Sequence, residues 1–164
     1  MPALNYEPVP ETVPFFEPLP ANVAAGFVAL LDDQPIEGGF DPTFGDVTWQ
    51  TLICSTRANS KGLVVGVAKF PAHGVLHAHR HTPPEFYYCI AGSGVVTMDG
   101  VERMIEPGAC VYIPSDIEHG VVAGADGLAF VYGFGEDSFA EIEYRFSANQ
   151  DKPCMSHDTQ VEMK

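Results

Sequence analysis

Residues 77–87 read His-Ala-His-Arg-His-Thr-Pro-Pro-Glu-Phe-Tyr. His77, His79 and His81 alternate, and Glu85 and Tyr87 keep the same two-residue rhythm. In an extended strand, residues two apart face the same side, so these side chains are expected to point one way. Neutral imidazoles and a carboxylate are the donors that a divalent first-row metal takes. Tyr87 adds a phenol, which becomes a usable base where nearby positive charge stabilises its phenolate.

A second candidate donor, His119, lies 34 residues past Glu85, after Ile113-Pro114-Ser115-Asp116-Ile117-Glu118. That segment reads as a turn entering a new strand. With His119, imidazoles from both segments and one carboxylate can converge on one cation and leave positions open for substrate or water. Such a donor set suits Fe(II), Mn(II), Ni(II), Co(II) or Zn(II) and does not choose among them.

The elements that must position these groups are strands. From about residue 47, short runs rich in Val, Ile, Phe and Tyr alternate with Gly, Pro and Asp turns, the pattern of an all-β sandwich or barrel. Strands are expected near 47–54, 63–70, 76–81, 85–91, 94–98, 101–105, 110–113, 120–123, 128–134 and 141–146. Asp99-Gly100 is expected to form a two-residue hairpin turn. Ahead of the barrel, six prolines in the first twenty residues exclude a helix and predict an extended arm, with Phe15, Phe16 and Leu19 to pack on the barrel or on a partner subunit. Val23, Phe27, Leu30 and Leu31 have helical spacing, and a short helix is expected before Pro35. The division is therefore an arm and short helix over 1–46, a barrel over 47–147 and a polar tail over 148–164.

The chain carries 22 acidic against 8 basic residues, a net charge of −14. Without clustered Lys and Arg it has no means of neutralising phosphates, so a nucleic-acid partner is excluded. No apolar stretch approaches the length of a membrane helix, and residues 1–8 have neither the basic start nor the apolar centre of a secretory signal, so a cytoplasmic protein without a membrane partner is expected. Cys54, Cys89, Cys110 and Cys154 form no CxxC pair and are expected as thiols.

Two motifs, His79-x-His81-x3-Glu85-x6-Gly92 and Gly108-x5-Pro114-x-Asp116-x2-His119, together resemble the signature motifs of the cupin superfamily over residues 63–134. The resemblance implies a single jelly-roll barrel holding one metal ion on His79, His81, Glu85 and His119, and a homodimer. Where the family pattern has glycine, this chain has His73 and Asp116, and where it often has asparagine, Ala123. The order of ligands followed by Tyr87 is similar to the cupin-type dimethylsulfoniopropionate lyases. That likeness implies a metal-dependent carbon–sulfur lyase acting on a small carboxylate-bearing molecule, with Tyr87 as base. The same ligands would also serve a mononuclear iron dioxygenase of a small diketone, phenol or thiol, a sugar isomerase or epimerase, or a non-catalytic small-molecule-binding cupin. His77 is expected at the cavity mouth against substrate. Trp49, Phe70, Tyr112, Phe130, Tyr132 and Phe134 are further cavity candidates, with Phe130, Tyr132 and Phe134 on one face suited to an onium group, and Tyr132 and Phe134 expected to bind substrate.

Overall fold

The computed structural model describes residues 26–147. Nine strands make one antiparallel sheet that curls back on itself: β1 Glu37–Asp41, β2 Gly45–Ile53, β3 Val64–Phe70, β4 Val75–Arg80, β5 Glu85–Met98, β6 Val101–Ile105, β7 Cys110–Ile113, β8 His119–Phe134 and β9 Arg145–Phe146. The order is β6-β5-β8-β3-β2-β4-β9, with β1 on β2 and β7 on β5. The additional β4–β8 pairing closes the barrel.

β8 is what makes closure possible. Its first half lies between β4, with Val122 opposite Val75, and the end of β5, with His119 opposite Met98. Its second half lies between β3, with Tyr132 opposite Gly66, and the start of β5, with Tyr132 opposite Tyr87. β5 bends through register shifts at Cys89/Ala91 and Gly92/Gly94, where bulges increase twist without ending the strand. The segments expected at 85–91 and 94–98, and at 120–123 and 128–134, are therefore two long strands and not four short ones.

Inward residues alternate along these strands and form the core, including Val64, Tyr87, Val96, Ile113, Val121 and Phe130. The Asp99-Gly100 turn forms as expected, with both residues at positive φ (45° and 76°) and Met98 opposite Val101. His73 and Asp116, which replace glycines of the family pattern, take φ of 60° and 59°, so the turns keep the left-handed backbone without glycine.

Other expectations are corrected. β1 lies ahead of the boundary placed at 47 and joins the same sheet through β2. Of the helix expected before Pro35, residues 26–30 carry no regular structure and a single 3-10 turn covers Leu31–Asp33. Phe27, Val28 and Leu30 are exposed, so no packed apolar face holds a helix there. The strand expected at 141–146 is reduced to β9, after a 3-10 turn at Phe139–Glu141. The proline-rich arm, residues 21–25 and the 148–164 tail lie outside the described residues. Among the described residues, no helix is long and apolar enough to cross a membrane.

Candidate metal centre and cavity

His79 near the end of β4 and His119 at the start of β8 are directly opposite across the β4–β8 pairing. His81 follows β4 at the Thr82-Pro83-Pro84 turn, and its carbonyl accepts the N–H of Asp116 at 2.9 Å, which ties the two motif turns together. Ring centroids lie 4.2 Å apart for His79–His119, 5.0 Å for His81–His119 and 5.7 Å for His79–His81. All three rings are buried, and one ring nitrogen from each falls within 4.8 Å of the others.

The backbone sets which nitrogen faces inward. Nδ1 of His79, His81 and His119 lies 2.8 Å from the carbonyls of His77, Pro83 and Ile117 respectively. A carbonyl only accepts, so each Nδ1 carries the proton and each Nε2 of a neutral ring presents a bare lone pair. Glu85 Oε2 lies 3.2 Å from His81 Nε2 and 3.3 Å from His119 Nε2. Lone pairs facing a carboxylate repel unless positive charge lies among them. His119 Nε2 is, moreover, buried with no hydrogen-bond partner. An orphaned buried nitrogen in this donor set fits a divalent metal ion.

The electrostatics agree. Burial first, then the neighbouring His119, pushes His79 down to about 4, which keeps its ring in the neutral, metal-binding form. Burial alone would raise Glu85, but positive charge at the facing His119 and His81 nitrogens outweighs it and holds the carboxyl below its ordinary value, so an anionic Glu85 calls for a cation among them.

Beside this centre opens a largely apolar cavity of about 470 Å³, whose lining includes His79, Glu85, Tyr87, Trp49, Tyr132 and Phe134. Tyr87 is fully buried and stacked on Phe130, with centroids 4.1 Å apart. Burial, followed by the charge of Glu85, pushes its phenol well above the ordinary value. Of the other aromatic candidates, Trp49 and Phe130 line the cavity, Phe70 packs behind Phe130 in the core, and Tyr112 points outward and is exposed.

His77 is not among the lining residues. The β4–β8 register shifts between Leu76 and His79, so Leu76 and His79 both face the cavity and the expected parity fails at His77. Its contribution here is the carbonyl that orients His79. Glu37 and Tyr144 are among the lining residues that the sequence did not single out. Tyr144 lies over the histidines, 5.5 Å from His79 and 5.2 Å from His81 between centroids. Nothing in its local sequence marks it. Only β9, pairing Phe146 with His79, brings it there.

The Cupin domain family matches residues 66–132. The chain is 52% identical over 118 residues to the dimethylsulfoniopropionate lyase DddW of Ruegeria pomeroyi, covering 72% of this chain and 78% of that protein. Among solved structures, the polyketide cyclase RemF from Streptomyces resistomycificus aligns with a TM-score of 0.65 at 20% identity, over 75% of this chain and 86% of that one. A structure described under the DMSP lyases RdDddP and RnDddQII aligns with a TM-score of 0.59 at 17% identity, over 70% of this chain and 62% of that one. At these identities the solved structures share the barrel fold.

Proposed function

Because the chain belongs to the cupin superfamily and is a metal-dependent lyase of that fold, we propose that it cleaves dimethylsulfoniopropionate to acrylate and dimethyl sulfide. The observation that carries the proposal is a convergent three-imidazole centre opening into a mostly apolar, aromatic cavity. It is supported by the 52% identity to a lyase for that substrate.

In the proposed assignment, His79, His81, Glu85 and His119 hold one divalent ion, iron or another of manganese, nickel, cobalt and zinc. When bound, that ion supplies a Lewis acid for a substrate carboxylate and positive charge that lowers the cost of a phenolate nearby. Tyr87 takes the proton from the carbon next to the carboxylate. The electron pair left behind forms the new carbon–carbon double bond. The bond from the neighbouring carbon to sulfur breaks, and dimethyl sulfide leaves with that bonding pair. Tyr132 and Phe134 contact the methylated sulfur end, and the apolar wall excludes water. His77 acts through His79 and does not touch substrate. Tyr87 must overcome the effect of burial and of Glu85 on its phenol, so it is neutral at rest and becomes a base only with the charged site assembled.

The proposal includes a barrel domain preceded by an arm, a homodimer and a cytoplasmic location. The dimer is supported by the outward apolar residues Tyr88, Ile90 and Tyr112 on β5 and β7, and light scattering of the purified protein tests it. Thiols at Cys54, Cys89 and Cys110 suit a reducing compartment.

The test is turnover of dimethylsulfoniopropionate under strict exclusion of oxygen, followed by NMR. Acrylate and dimethyl sulfide in equal amounts are expected. A requirement for oxygen, or absence of acrylate, would turn the assignment toward a dioxygenase.

A further inference from the structure

The cavity has a second charged region. Besides Glu85, the charged residues lining it are Glu37 and Arg57, which form an ion pair at 2.5 Å. Glu37 stands on β1 directly opposite Trp49 of β2, so the two side chains share the face turned to the cavity. Trp49 meets Phe44 edge-on, with centroids 5.6 Å apart. Thr51 Oγ1, in a fully buried residue, lies 3.5 Å from Glu37 Oε2 and 3.3 Å from Tyr132 Oη. Arg57 and Thr51 both engage Oε2, which leaves Oε1 without a hydrogen-bond donor among the described residues. Burial raises the Tyr132 phenol, and the negative charges of Glu37 and Glu85 both add to that rise. The two carboxylates therefore face a common aromatic wall.

A carboxylate beside aromatic faces attracts a diffuse, weakly hydrated cation such as a sulfonium or quaternary ammonium. We propose that Glu37 is a specificity-determining residue: held by Arg57 and Thr51 beside Trp49 and Tyr132, it receives the onium group of a zwitterionic substrate whose carboxylate lies at the histidine centre. The inference rests on the sulfonium carboxylate reading above and deepens it. Arg57 tempers this carboxylate, so that the region carries no net charge in the free protein. Replacing Glu37 makes the region positive, and replacing Arg57 makes it negative.

Those opposite signs provide the test. Two non-cleaved analogues of equal chain length, one ending in trimethylammonium and one in a neutral methylthio group, are titrated calorimetrically into metal-loaded protein. Glu37→Gln is expected to weaken the trimethylammonium analogue about tenfold, ~1.4 kcal/mol, and to leave the methylthio analogue within about threefold. Arg57→Met is expected to tighten the trimethylammonium analogue. Equal effects of Glu37→Gln on both analogues, no effect on either, or weaker cation binding in Arg57→Met would overturn the assignment. The analogue affinities require no turnover. A wild-type protein that releases no dimethyl sulfide therefore ends the lyase reading, while Glu37 is judged by the binding data alone.

Discussion

Replacing Tyr87 with phenylalanine removes one oxygen from the centre of the cavity. The ring is 2% exposed and stacks on Phe130 at 4.1 Å, and phenylalanine keeps that packing. The phenol is neutral at rest, so the variant loses only one buried, uncharged hydroxyl and its contacts. Global stability should therefore change by less than about 1 kcal/mol. Tyr87 is not one of the three histidines that group at the centre, so metal content should stay at the wild-type level. Catalysis should not survive as well. A positioned base contributes roughly 10²–10⁴ in rate, about 3–5.5 kcal/mol of barrier. The assay is headspace measurement of dimethyl sulfide at saturating substrate, alongside metal content and the thermal midpoint of the same preparation. Loss of at least about a hundredfold in kcat, with metal and midpoint retained, is the predicted result. A metal-loaded variant within about fivefold of wild type, against the factor expected of a base, would refute the role of Tyr87.

Three further outcomes follow from geometry and charge. In chelator-stripped protein, His79 titrates at about 4 when folded and near 6.5 when unfolded. Below pH 6.5 the unfolded chain alone binds this proton, so stability should fall as pH drops toward 4, by about 3 kcal/mol. Thermal midpoints between pH 7.5 and 4.5 should show this fall, and it should flatten in His79→Gln. At Gly66, an added Cβ would collide with the Tyr132 hydroxyl and lie 2.6 Å from the Gln50 carbonyl. Gly66→Ala should cost about 1–3 kcal/mol in denaturant unfolding. His73 is exposed with φ of 60°, so His73→Gly should relieve left-handed strain, offset in part by glycine's entropy. The net is a gain of up to about 1 kcal/mol and a higher thermal midpoint.

The candidate donors were legible because their chemistry is rare and their spacing is short-range. Three histidines and a glutamate separated by turns have few structural uses in common, and the backbone carbonyls that orient the rings come from residues two positions away. Parity was less dependable. It held along β5 for Glu85, Tyr87 and Cys89, all buried, and failed at His77 because a register shift is not written in residue types. Glycines misled in both directions. Gly92 and Gly94 read as strand ends, yet they are bends inside β5. Gly38 and Gly39, ahead of the expected strands, lie within β1, and the missing Cβ at Gly38 leaves room for the Trp49 ring. Missing β1 concealed Glu37, and the brevity of β9 concealed Tyr144. Both residues reach the cavity only through long-range pairing, which no local pattern encodes.

In the proposed mechanism one metal ion, held by side chains from both motifs, drives the elimination. This is tested most directly by titrating metal-free protein with ferrous ion under anaerobic conditions while dimethyl sulfide release is followed. No turnover is expected before addition, then a linear rise that breaks at one ion per chain, and no such rise in His119→Ala. Full turnover in stripped protein, or a wild-type titration in His119→Ala, would contradict it.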